Sequence, residues 1–355
     1  MRAVLRNLAV VAVLAHLAVA ACGAAPTSGV AAALGALPGQ AQPMNVLFLH
    51  GKVVVDPPGQ EKIFVLRGFL PDERLQDIMA AEGISWSASN FSTKLSLDYL
   101  RQFNVIVLLD FPMIEKHEDL AAEVRAAEAL LGQFLDEGGG LLYTGITEYG
   151  MWGMEGGTEE VDRFLAPYDA RVLSEQVEEQ DKGLLIPSLG MSALAWTGNV
   201  QPHEITEGVR GLLYPVDFAW SYYTHPLQVG AQWEVLVKAS PSARTITTTL
   251  GKGGMSGLGQ ERQPGSIAGE PALVAVRQAG PGRLGLWPTV GSPYLIDGYH
   301  PFWGGGLTME GTDRAKPSDG RPLLLNLLRW LGAPSQGKLG GVPVAPPEIE
   351  VGDEP

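Results

Sequence analysis

Five polar side chains follow short apolar runs that are typical of buried strands. His50 ends one run and Asp110 follows a second, while Thr144, Thr147 and Glu148 follow a third. Ligands of open α/β sheets bind outside the carboxyl ends of the strands, so these five residues are candidates for a site. We interpret His50 and Glu148 as an acid–base pair, because burial can tune both groups toward neutral pH. The alternative is that His50 hydrogen-bonds a loop carbonyl and that Glu148 is solvated.

A glycine-flanked loop, residues 292–306, supplies a second group of chemically useful side chains. Its candidate ligand-binding residues are Asp297, Tyr299, His300 and Trp303. Aromatic faces beside a few polar groups suit a sugar or another ring-bearing ligand, because C–H faces stack and hydroxyl groups hydrogen-bond. The alternative is a loop that its own aromatic side chains hold against the sheet.

Cys22 is the single cysteine of the 355-residue chain. A short positive region and an apolar run come before it, and small residues stand directly in front of it, as in a secretory signal. The apolar run is too short to span a bilayer. The last four residues of this segment resemble the bacterial lipobox, which implies that Cys22 is acylated and anchors the chain to the envelope. An ordinary signal cleaved nearby is the alternative.

The composition restricts the partners. The formal net charge is −14, and the sequence holds no basic run. Nucleic-acid phosphates and anionic lipids both reward clustered Lys and Arg, so we expect no nucleic-acid binding and no basic membrane patch. The membrane contact predicted for this protein is therefore the lipid anchor. Gly23 after the cysteine favours the outer membrane or the periplasmic face over the inner membrane.

The sequence gives no support for a metal or cofactor. It contains no His-x-His, His-Glu-x-x-His or acidic calcium loop. Gly138–Gly140 lead from a helix into a strand, the reverse of the order that directs a helix N-terminus at phosphate. We therefore predict neither a metal centre nor a cofactor.

Four segments follow from composition and periodicity. Residues 1–21 form the signal, 22–43 a flexible tether, 44–332 one folded domain, and 333–355 a disordered acidic tail. In the first half of the domain, strands alternate with helices, the clearest helix running from Glu118 to about Glu137. The second half is richer in strand signals and includes a hairpin around Gly280, whereas residues 251–270 read as an exposed loop. We predict a mainly parallel α/β sheet with helices on both faces and a β-rich C-terminal half.

The order of several short motifs resembles a known group. A first strand ends in His50-Gly51, a long helix runs into Glu137–Leu142, and His203–Val209, Gly280–Arg283 and Asn326–Leu331 follow in that order. This arrangement resembles the class I glutamine-amidotransferase-like superfamily, and within it the ThuA-like (trehalose-utilisation) exported domains. The resemblance implies a flavodoxin-like fold. It places His203 in a His-Pro-Ile-Thr pattern with Glu204 in place of proline, where we favour a role as a cap of the following turn.

The chain departs from that superfamily at the point that matters for its chemistry. Amidotransferases carry a nucleophilic cysteine on a strand-to-helix turn, and the equivalent turn here, residues 145–148, holds no thiol. A threonine hydroxyl needs an adjacent base before it can attack, so glutamine hydrolysis is not expected. We predict a lipid-anchored binding or assembly module whose partner is a carbohydrate or an envelope protein. A sugar hydrolase or isomerase with His–carboxylate chemistry and a structural envelope component are the alternatives.

Overall fold

The computed structural model describes most of the predicted domain. The described residues are 43–53, 71, 73–91, 95–109, 111, 121–145, 158–187, 193–216, 224–249, 261–289 and 315–345. The side chains of 50–53 lie outside this description, as do residues 1–42.

The first half alternates strands with helices, as predicted. In chain order the elements are β1 (Met44–Val53), α1 (Glu73–Ala81), β2 (Ile84–Phe91), α2 (Leu97–Leu100), β3 (Val105–Leu108), α3 (Ala121–Asp136) and β4 (Gly140–Tyr143). Gly138 ends α3 with a φ of 95°, a left-handed conformation that glycine adopts without strain.

The second half is dominated by strands. It comprises α4 (Glu159–Leu165), β5 (Ala170–Val172), β6 (Gln176–Glu179), β7 (Leu185–Pro187), β8 (Ala193–Thr197), β9 (Leu212–Pro215), β10 (Leu227–Val229), β11 (Glu234–Lys238), β12 (Ala243–Thr249), β13 (Glu261–Ala268), β14 (Ala272–Ala279), β15 (Gly282–Leu286) and α5 (Gly320–Gly332).

One large sheet organises the domain. Its strand order is β2-β1-β3-β4-β15-β14-β10-β5, and β11 also pairs with β14. The first five strands are mutually parallel, whereas β14 is antiparallel to β15, β10 and β11. Counted among the parallel strands alone, this is the 2-1-3-4-5 order of doubly wound flavodoxin-like sheets, with β15 as the fifth strand. Two smaller antiparallel sheets, β13-β12-β6 and β7-β8-β9, supply the β-rich remainder.

Helices cover both faces of this sheet. Alternate side chains of each parallel strand point to opposite faces, so Val46 and Phe48 of β1 enter one apolar cluster and Leu47 and Leu49 the other. The first cluster is closed by α1 and α5, and the second by α2, α3 and α4. The predicted two-sided packing is confirmed.

Close contact between β4 and α5 depends on one missing side chain. A Cβ built on Gly140 would lie 2.5 Å from the backbone oxygen of Leu331. Glycine at this position therefore lets the last helix lie directly on the sheet, beside the central strands.

Two predictions of segments without regular structure were wrong, one for a loop and one for the C-terminal tail. Glu261–Ala268, within the predicted loop 251–270, is strand β13, which pairs antiparallel with β12. Its side chains are mostly exposed on both faces, so it lacks the buried alternation by which a strand is recognised in sequence.

The second correction concerns the tail. Residues 333–345 are folded, with Ala333–Ser335 in a 3₁₀ turn and the side chain of Leu339 buried. Backbone carbonyls of this segment accept hydrogen bonds from the amide side chains of Asn45 and Asn104, so polar contacts hold it in place of a periodic apolar face. Residues 346–355 lie outside the described part.

Candidate functional site

The carboxyl ends of the parallel strands form one continuous edge. The amide of Leu109 donates to Leu49, that of Thr144 to Leu108, and that of Trp287 to Tyr143, over 2.8–3.0 Å. These bonds keep the chain in register just beyond the strands, where α/β sheets bind their ligands.

Most of the predicted site residues lie outside the described residues. His50 is part of β1 and pairs with Asn90, but its side chain is among those not described. Asp110, Thr147, Glu148, Asp297, Tyr299, His300, Trp303 and Cys22 also fall outside. The predicted acid–base pair and the predicted aromatic loop therefore stay predictions.

Thr144 lies at the predicted edge, and its hydroxyl has a backbone partner. The residue is fully buried, and Oγ1 donates to the carbonyl of Leu108 over 3.4 Å. Gly145 follows with a φ of 62°, so the chain turns sharply just after β4. The amide and the hydroxyl of Thr144 both donate to Leu108, so they tie the end of β4 to the end of β3.

Two other threonines, Thr224 and Thr289, face each other at the same edge. They form an isolated antiparallel bridge, and both are 0% exposed. The amide of Thr289 donates to Thr144 over 3.0 Å, and that of Thr224 donates to Pro215 over 3.1 Å. Neither hydroxyl finds a hydrogen-bond partner in the part of the chain that the structure describes. We call these two residues the threonine pair.

Sequence reasoning missed the threonine pair. Thr289 follows β15 closely, so the same rule that selected Thr144 would have selected it had β15 been counted with the parallel strands. Thr224 lies in an aromatic stretch of sequence, residues 220–225, that could join the ligand site of loop 292–306. Its pairing with Thr289 has no local signal, because the bridge spans a large sequence separation.

His225 lies directly beside the pair and is 1% exposed. Its amide donates to Pro288, which brings the residue against the end of β15. Its Nδ1 lies 2.9 Å from the carbonyl oxygen of Leu173 and 3.1 Å from that of Glu175. Carbonyl oxygens only accept, so Nδ1 carries the hydrogen and the ring is held in one orientation. The imidazole therefore holds residues 173–175 beside the segment that leads into β10.

A carboxylate lies within electrostatic reach of this imidazole. Burial raises the pKa of Asp162, and hydrogen bonds from the amide of Val172 and the side chain of Arg171 oppose that rise. The Val172 amide lies 2.8 Å from Asp162 Oδ1. Asp162 therefore joins α4 to β5 through the amide of Val172 and the side chain of Arg171.

His203 caps a turn, as predicted. Its Nδ1 accepts from the amide of Ile205 over 3.0 Å, and the hydroxyl of Thr206 accepts from the amide of His203 over 3.0 Å. The two bonds form a reciprocal capping box at the start of the 3₁₀ turn Glu204–Thr206. Nδ1 of His203 is therefore occupied by the capping hydrogen bond.

Glu179, a buried acid outside the edge, also has its hydrogen-bond partners within the protein. Glu179 is 6% exposed and accepts from the hydroxyls of Ser240 and Ser242 over 2.5 and 2.6 Å, and from the amide of Asp181 over 2.8 Å. Burial raises the pKa of Tyr214, and the nearby carboxylate of Glu179 raises it further. A saturated carboxylate beside a neutral phenol is a structural cluster.

Within the described residues, no three His, Cys, Asp or Glu side chains come together as a metal site would require. In that same part of the chain, no helix combines the length and the apolar character needed to cross a membrane.

Comparison with known proteins gives likeness at the level of fold. No protein-family model matches the chain, and no curated protein matches it in sequence. A protein described as ThuA-like from Bacteroides uniformis is 13% identical, with 83% of this chain and 94% of that chain covered and a TM-score of 0.41. A cytoplasmic protein from Salmonella typhimurium LT2 is 15% identical, with 81% and 99% covered and a TM-score of 0.42.

A third structure, described as part of a GMP synthase from Thermoplasma acidophilum, is 11% identical, with 82% and 96% covered and a TM-score of 0.32. Proteins described as ThuA-like and a protein described as a GMP synthase subunit are among the solved structures that this chain resembles. The fold is flavodoxin-like. That assignment rests on the strand order, and these likenesses add no residue roles.

Proposed function

We propose that this chain is a lipid-anchored envelope protein whose α/β domain binds a small uncharged ligand, a carbohydrate, at the carboxyl edge of its parallel strands. The observation that carries the proposal is the threonine pair, two buried hydroxyls at the edge where doubly wound sheets place their ligands. Carbohydrates present many hydroxyl groups that both donate and accept, which matches what threonine side chains offer.

The chain is not proposed as a thiol-dependent amidotransferase. Its single cysteine is Cys22, in the segment before the domain. The turn after β4 that would carry a nucleophile, residues 145–148, holds no thiol. The hydroxyl of Thr144 donates to a backbone carbonyl, so its hydrogen is already engaged.

The anchor completes the proposal. The lipobox-like sequence before Cys22 supports attachment through an acyl chain, and residues 22–43 would then tether the domain to the membrane. We place the domain at the outer membrane or the periplasmic face on this sequence evidence alone.

A structural envelope component is the second candidate, and one observation favours it. Aromatic side chains fill the edge next to Thr144, since Phe111 lies 6.1 Å from Tyr143 and 5.2 Å from Phe164 between ring centroids. An edge packed in this way stabilises the domain and needs no ligand.

A thermal-shift screen separates these candidates. Neutral sugars should raise the midpoint of unfolding, because a ligand that binds only the folded state stabilises it by an amount that grows with the logarithm of the ligand concentration relative to Kd. A panel of divalent metals serves as the comparison and should leave the midpoint unchanged. No shift with any sugar would favour the structural role. Conversion of a bound sugar, followed by chromatography, would establish the hydrolase or isomerase alternative.

A further inference from the structure

Both hydroxyls of the threonine pair are buried without a hydrogen-bond partner in the described part of the chain. Buried hydroxyls almost always have a hydrogen-bond partner, because a group left without one loses its hydration and gains nothing in return. Thr224 and Thr289 are both completely buried, and neither Oγ1 has a partner in the described part of the chain. Two such groups on directly opposed residues indicate one cause.

The local hydrogen bonds show how the two side chains are arranged. The amide of His225 donates to Pro288, one residue beyond Thr224 and one before Thr289, so the bridge is of the non-hydrogen-bonded kind. The amides of the two threonines point away from each other, toward Thr144 and Pro215. In such a pair the side chains lie on the same face with their Cβ atoms about 4.5–5.5 Å apart. Both hydroxyls therefore reach the same small volume.

We infer that Thr224 and Thr289 together hold one hydroxyl group, bound between their two Oγ1 atoms. This inference rests on the proposed function for the source of that hydroxyl, which is a carbohydrate ligand or a water molecule in the same place. A threonine hydroxyl donates one hydrogen bond and accepts up to two, so a third hydroxyl can donate to one threonine and accept from the other.

A charged group does not fit this position. No lysine or arginine of the described chain donates to either hydroxyl, since neither has any partner there. A carboxylate or ammonium buried without a counter-charge carries a far larger desolvation cost than a hydroxyl. The ligand group is uncharged.

The test is a double-mutant cycle on the full chain, kept in a detergent without a sugar headgroup. Thr224→Val, Thr289→Val and the double variant remove the hydroxyls while keeping the side-chain volume. Thr224→Ser and Thr289→Ser keep the hydroxyl and control for the lost methyl group. Thr197→Val is the matched control, because Thr197 is also 1% exposed but its hydroxyl donates to Lys238 over 2.7 Å.

Each single valine variant should lower the midpoint of thermal unfolding by about 2–4 °C, the shift expected for one lost hydrogen bond in a domain of this size. The double variant should lower it by about as much as one single variant, because either substitution already displaces the shared group. Combined with either change, Thr197→Val should simply add its own effect.

Additive losses would show that each hydroxyl has its own partner, and unchanged or raised midpoints would show that neither has one. Either result overturns the inference. D-glucose identifies the source of the hydroxyl. A shift that occurs in the unmodified chain and in Thr197→Val, and is lost in Thr224→Val and Thr289→Val, assigns it to a carbohydrate. If the losses in midpoint are non-additive and glucose causes no shift, the shared hydroxyl belongs to a water molecule. That result supports the inference and counts against the proposed function.

Discussion

The backbone amide of Asn45 donates to Oδ1 of Asn104 over 2.9 Å, linking the starts of two adjacent parallel strands, β1 and β3. Both residues are 1% exposed. The side-chain amide of Asn45 reaches the carbonyl of Val342, and that of Asn104 reaches Ser335 and Leu339. The two asparagines therefore join the amino edge of the sheet to the segment that follows α5.

Asn104→Ala should destabilise the domain by about 2–4 kcal/mol. The change removes one hydrogen-bond partner from each of three groups: the amide of Asn45, the hydroxyl of Ser335 and the carbonyl of Leu339. Urea unfolding measured by circular dichroism gives the free energy. Gln102→Ala is the control, because Gln102 is exposed and contributes its backbone carbonyl to Asn45. Equal stabilities of the two variants would contradict the assigned role of Asn104.

Gly140→Ala and Gly132→Ala should change stability in opposite directions. A Cβ on Gly140 would lie 2.5 Å from the carbonyl oxygen of Leu331, so the helix α5 must shift, at a cost of about 1–3 kcal/mol. A Cβ on Gly132 meets nothing within 4 Å, and alanine in the interior of α3 favours the helix by about 0.5–1 kcal/mol. Differential scanning calorimetry on both variants measures the contrast. A neutral Gly140→Ala would mean that α5 does not lie against β4.

Asp319 should make stability depend on pH in acid. Burial raises its pKa, but hydrogen bonds from the side chain and amide of Arg210 outweigh that effect, so the pKa lies below its ordinary value of 3.8. A carboxyl whose folded pKa is lowered contributes stability above the unfolded pKa, and this contribution is lost as the pH falls through the folded pKa. The stability difference between the unmodified chain and Asp319→Asn should therefore be full near neutral pH and shrink below about pH 4.

Unfolding free energies at a series of pH values test this directly. Glu270→Gln is the comparison, because Glu270 and Lys238 form a half-exposed ion pair at 3.6 Å, and such pairs contribute little. A difference for Asp319→Asn that stays constant from neutral pH to pH 3 would argue against the Arg210 pairing.

Local patterns were enough to predict the central parallel strands. The apolar runs at Val105–Leu108 and Gly140–Tyr143 are buried at every residue, which is the pattern of a strand covered on both faces. Strand β13 could not be recognised, because an exposed edge strand carries no alternation. The folded segment after α5 could not be recognised either, because it is held by side-chain amides of residues that are distant in sequence and not by an apolar face of its own.

The candidate site was harder to predict than the fold. The rule for carboxyl ends of strands correctly selected Thr144 as an edge residue, but it could not show that the hydroxyl bonds to Leu108. The bridge between Thr224 and Thr289 joins chain segments far apart in sequence, and such pairings leave no local trace.

Cys22→Ser should move the protein from the membrane fraction to the soluble fraction of the envelope. Serine offers no thiol for acylation, and the proposed anchor depends on that one sulfur, because the sequence contains no second cysteine. Cell fractionation followed by mass spectrometry of the mature N-terminus measures both the location and the acyl chain. Thr27→Ala, a change in the predicted tether, should leave both unchanged. An unmodified thiol at Cys22, or an N-terminus well beyond it, would remove the anchor from the proposal and leave the domain fold as described.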